Sequence, residues 1–79
     1  MMFACRGREY HCVVGSDVQR DGMYLEVAET QTGPEILEVF YSDQTDEMTF
    51  TAYRADVPLE LVEWATVKAR ERLVPTAKR

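Results

Sequence analysis

Apolar and polar residues alternate along Met23-Tyr24-Leu25-Glu26-Val27-Ala28 and again along Met48-Thr49-Phe50-Thr51-Ala52-Tyr53. Beyond Asp56-Val57-Pro58 the apolar residues return at helical spacing instead. A period of two sends successive side chains to opposite faces of a strand, and a period near 3.6 lines one face of a helix. The chain therefore reads as a sheet followed by one terminal helix.

Residues 3–14 read as a hairpin turning at Gly7-Arg8, with glycine in the positive-φ position. That turn pairs Cys5 with Tyr10 and Phe3 with Cys12, all four on the core side. Residues 16–22 form a polar link ending in Asp21-Gly22, a dipeptide suited to tight turns. Gln31-Thr32-Gly33-Pro34 ends the strand begun at Met23, because proline brings no N–H to a ladder. Residues 35–41 and 48–54 are the remaining strands, joined by an acidic link over residues 42–47.

Such short links cannot carry crossovers to parallel neighbours, so consecutive strands pair antiparallel. The expected fold is α+β: an antiparallel β-meander of four or five strands with one C-terminal α-helix packed on one face. It fills a single small domain over residues 1–79, with strands across about 2–54, the helix across about 58–73 and a short basic tail at 75–79. Pro58 suits the first helical turn, where its missing N–H goes unneeded, and Asp56 is placed to cap it. Leu61, Val62, Ala65, Ala69 and Leu73 make the apolar stripe. About 16 residues at 1.5 Å each give a rod of about 24 Å, long enough to cross four or five strands.

Alternation puts Met23, Leu25, Val27, Leu37, Val39, Tyr41, Met48, Phe50 and Ala52 on the face beneath that helix. Tyr24, Glu26, Ile36, Glu38, Phe40, Thr49, Thr51 and Tyr53 take the opposite face, where a single helix leaves no cover. Tyr24, Ile36, Phe40 and Tyr53 are thereby candidate protein-interaction residues, since tyrosine and phenylalanine are favoured interface anchors. Scattered exposed hydrophobes are also ordinary on solvated strands. Trp64 lies off the helical stripe and is a further candidate, either packed along the flank of its own sheet or, with Val67, joining helices across a dimer.

Composition narrows the chemistry. A hydrophobic fraction of 46% and a charged fraction of 29% suit a soluble globular domain rather than a disordered one. Apolar runs are short, and Arg6-Gly7-Arg8 interrupts the first of them, so neither a membrane span nor a signal peptide is expected. Two cysteines are too few for a secreted disulfide scaffold, which leaves a cytoplasmic location as the expectation. Net charge is −5; four Arg stand against eleven Asp and Glu in residues 1–57, while five basic residues stand against three acidic ones in 58–79. Acidic strands repel phosphate, so nucleic acid is not an expected partner despite Lys68, Arg70, Arg72, Lys78 and Arg79.

Cys5, His11 and Cys12 supply only three donors, and His11 points away from both thiols, so no metal is expected; the thiols read as free and buried. Asp43, Asp46 and Glu47 lack the alternating donors of a calcium loop. Glu26 and Glu38 form a carboxylate pair that an open face would leave in water, without the burial that acid–base work requires. No nucleophile elbow or phosphate loop is present. The expected function is a small non-catalytic protein-interaction or regulatory module, cofactor-free, binding a protein partner or a second copy through the uncovered sheet face. The alternative is a small-ligand-binding protein or minor enzyme using a cleft between helix and sheet.

Overall fold

Strands β1 (Met2–Cys5), β2 (Arg8–Asp17), β3 (Gly22–Ala28), β4 (Glu35–Ser42) and β5 (Met48–Ala52) precede one helix, α1 (Leu59–Arg72). The structure is a computed structural model and describes residues 1–30 and 33–75. The strands form one antiparallel sheet in the order β1-β2-β3-β4-β5, and α1 packs against β1, β3 and β4. The meander has five strands. Residues 31 and 32 of the third link, and Lys78 and Arg79 of the basic tail, lie outside the described residues.

Register carries the alternation across the sheet. Cys12 faces Val27, Val27 faces Leu37, Leu25 faces Val39 and Met23 faces Tyr41, and directly opposed residues share a face. On that face Tyr10, Cys12, Leu25, Val27, Leu37, Val39 and Tyr41 are buried against Leu61, Ala65 and Ala69 of α1 and Leu73 at its C-terminal end. The small Ala65 and Ala69 let the helix backbone approach the sheet, while the larger side chains of the strands fill the layer between them.

Several local expectations are corrected. The first hairpin turns at Arg6-Gly7, not Gly7-Arg8: both residues have positive φ, 52° and 78°, as a two-residue turn with the twist of its strands requires. Cys5 therefore faces Arg8 and Phe3 faces Tyr10. The slip is by one whole pair, so the inward set of Phe3, Cys5, Tyr10 and Cys12 is preserved. The polar link before Gly22 is shorter than expected, since β2 continues to Asp17. The helix begins at Leu59 without a side-chain cap; Asp56 instead adopts φ 58° in the approach to it.

Two corrections alter what each face offers. Between Val27 and Ala28 the register shifts, with Val27 opposite Leu37 but Ala28 opposite Glu35. Ile36 is the extra residue of that bulge, and a bulge re-aims a side chain. It is only 2% exposed and belongs to the core rather than to the open face. Phe50 and Ala52, expected in the core, are exposed. Their end of the strand is left uncovered because α1 is drawn toward the opposite edge: Trp64 stacks on Phe3 at 4.8 Å, and Glu60 accepts from Arg6 at 3.1 Å and from the Cys5 thiol at 3.4 Å.

Candidate functional site: the outer sheet face

The face away from α1 carries two central pairs, Tyr24 opposite Phe40 and Glu26 opposite Glu38. Glycine makes room beside them: a methyl on Gly15, which faces Tyr24, would stand 2.6 Å from the phenolic oxygen. The Tyr24 ring thus lies flat against the β2 backbone instead of standing into water. Two carboxylates directly opposite one another repel. Something must offset that charge.

Arg20 supplies the offset. In the connection between β2 and β3, the Asp17 carboxylate accepts the N–H groups of Gln19 and Arg20, both at 3.1 Å, a local bonding pattern that forms a tight turn. The turn sends Arg20 back over the sheet, where Nε donates to Asp17 at 2.6 Å and Nη2 donates to Glu38 at 2.7 Å. Its guanidinium carbon stands 4.1 Å above the centre of the Phe40 ring. The bond from Arg20 holds the Asp17 carboxyl below its usual range, and the bonds to Glu38 and then Asp17 raise the Arg20 guanidinium further. Glu38 is buried beneath it at 6% exposure.

Among the described residues no cation forms an ion pair with Glu26. Burial, a hydrogen bond shared with Glu35 and the negative charges of Glu35 and Glu38 push its carboxyl up to about 7. Desolvation and the Glu38 and Glu35 charges raise the neighbouring Tyr53 phenol in the same way. Tyr53 is 51% exposed and Val13, across the sheet, 56%. A depression of about 510 Å³ opens beside this cluster, lined in part by Met2, His11, Val13, Glu26 and Glu35. The arrangement suits attraction of a cation: aromatic faces, carboxylates with proton-sharing contacts, and one guanidinium already seated.

Of the residues singled out from the alternation, Tyr24, Phe40 and Tyr53 share this face, Ile36 lies in the core, and Trp64 packs on Phe3 on the far side of the sheet. Arg20 and Glu35 were missed. The Asp17-to-Arg20 spacing is the local signal for the first, since an aspartate three residues before an arginine closes a turn and pairs with it. Cys5 and Cys12 are free, and burial raises the Cys12 thiol. Among the described residues no three His, Cys, Asp or Glu side chains are grouped to hold a metal ion, and no helix is long and apolar enough to cross a membrane. No protein-family model, curated protein or solved structure matches the chain.

Proposed function

We propose that the protein is a non-catalytic interaction module whose outer sheet face takes an arginine- or lysine-bearing segment of a protein partner. The observation that carries the reading is Arg20, whose guanidinium lies over Phe40 while bonded to Glu38. The chain's own side chain occupies the kind of site that a partner's cation would use. Tyr53, Glu26 and Glu35 extend the same chemistry past the hydrogen bonds of Arg20, and the −5 net charge attracts a basic partner from a distance. The cleft alternative would use one of two grooves beside α1, of about 260 Å³ at Phe50 and Val62 and about 560 Å³ at Tyr41 and Arg70; the second falls in the range of about 300–1,000 Å³ usual for small-molecule sites, but neither carries a cation seated on an aromatic ring as the outer face does.

Fluorescence anisotropy with a labelled arginine–glycine peptide tests the reading, with a glutamate–glycine peptide as control. Binding of the basic peptide alone is expected, weakening steeply between about 50 and 500 mM salt. Phe40→Ser should weaken it about two- to fivefold, the loss of one cation–π contact. Arg20→Ala, which vacates the seat, should strengthen it. Equal affinity for both peptides, or binding indifferent to both substitutions, refutes the proposal.

A further inference from the structure

β5 is an open sheet edge without the charge, proline or bulge that commonly protects one. Met48-Thr49-Phe50-Thr51-Ala52 includes no charge and no proline. Its pairing with β4 runs from Leu37 opposite Ala52 to Tyr41 opposite Met48 without a bulge. The Ser42 N–H donates to the Glu47 carbonyl at 2.9 Å and the Tyr53 N–H donates to the Ile36 carbonyl at 2.8 Å, so the odd-numbered residues turn their backbone groups toward β4. By the alternation of an antiparallel ladder, Met48, Phe50 and Ala52 turn theirs outward. Nothing among the described residues pairs with them.

The side chains of this strand are uncovered as well. Phe50 faces the helix side, opposite Val39, yet is 49% exposed. It stands at the groove between β5 and α1, lined also by Met48, Val62 and Thr66. The other edge differs: in β1, Phe3 lies against Trp64 and Cys5 is tied to Glu60.

We propose that β5 pairs with β5 of a second copy, antiparallel about a two-fold axis through Phe50, so that two five-stranded sheets become one. In that register Met48 of each copy faces Ala52 of the other and Phe50 faces Phe50, forming about six main-chain hydrogen bonds. The two Phe50 rings cover one another on the helix side, and Thr49 and Thr51 meet on the outer side, a favourable cross-strand pair. Charge is compatible with the register: Asp46 of one copy comes opposite Arg54 of the other, whose guanidinium also bonds Glu29 within its own chain. A two-fold contact uses the same patch on both copies and closes at two. The edge borders the outer face at Thr49 and Thr51 but uses the backbone of β5 and not the seat of Arg20 over Phe40, so either reading can fail without the other. So short an edge falls at the small, transient end of interfaces, with an expected dissociation constant of about 10 μM to 1 mM.

Sedimentation velocity and amide hydrogen exchange on the whole chain, from about 10 μM to 1 mM, test it. The weight-average mass should rise toward that of a dimer and stop there. Protection should grow with concentration at the amides of Met48, Phe50 and Ala52, and not at Thr49 and Thr51, which β4 already protects. Phe50→Lys, which sets like charges opposite one another, and Ala52→Pro, which removes one outward donor, should each weaken association at least tenfold while leaving the circular dichroism of the monomer unchanged. A chain still monomeric at the highest concentration overturns the proposal. So does a dimer that survives both substitutions, or growth past two copies, which would mark head-to-tail pairing of β1 with β5.

Discussion

Glu26 shows how a sheet face can hold a carboxyl near neutrality without a deep pocket. It sits opposite Glu38, shares a hydrogen bond with Glu35, and leaves Arg20 to its neighbour. Alternation alone places Glu26 and Glu38 together, but it implies two solvated carboxylates. What it misses is the return of Arg20 from a turn and the arrival of Glu35 through a bulge, both effects of contacts distant in sequence. The raised carboxyl has a signed consequence. The folded chain holds its proton more tightly than the unfolded chain, so the stabilisation is complete below the ordinary glutamate range and is lost as pH rises through about 7. Urea denaturation of the wild type and Glu26→Gln, run from pH 4.5 to 8, should show the wild type losing on the order of 1 kcal/mol relative to the variant across that window, after discount for solvent screening. Parallel curves would mean that Glu26 titrates as an ordinary surface carboxylate.

The strands and the helix were readable because each keeps a single period over its length. Leu25, Val27, Leu37 and Val39 fall on the buried face as the alternation requires, and Leu61, Ala65 and Ala69 fall on the buried stripe of α1. The bulge that buries Ile36 was not readable, since one extra residue in β4 leaves the local pattern nearly unchanged. The sideways placement of α1 was also hidden. It depends on Trp64 meeting Phe3 and Glu60 meeting Arg6, contacts across more than fifty residues of chain. The helix owes its stability to this packing, since a rod of 14 residues is marginal alone. Leu61→Ala should therefore cost about 2–5 kcal/mol in denaturant melts, as truncation of a fully buried leucine does. Val67→Ala, at a position 53% exposed, should cost little more than about 0.5 kcal/mol. Similar losses for the two would place the helix elsewhere on the sheet.

For the molecule as a whole, one helix over five strands leaves two surfaces of different character. The broad outer face is acidic and aromatic, with Arg20 folded onto it, and the β5 edge is uncharged with its ladder groups turned outward. In the proposed reading the first takes a basic segment by charge and by ring faces, and the second takes a strand by its backbone. Both follow from a sheet wider than the one helix among the described residues can cover. Chemical-shift mapping of the ¹⁵N-labelled chain during titration with an arginine-bearing peptide separates the outer face from every other surface. The largest shifts should gather at Tyr24, Glu26, Glu38, Phe40 and Tyr53 and fade with added salt. Shifts confined to α1, or none at all at saturating peptide, would contradict the assignment of function to that face.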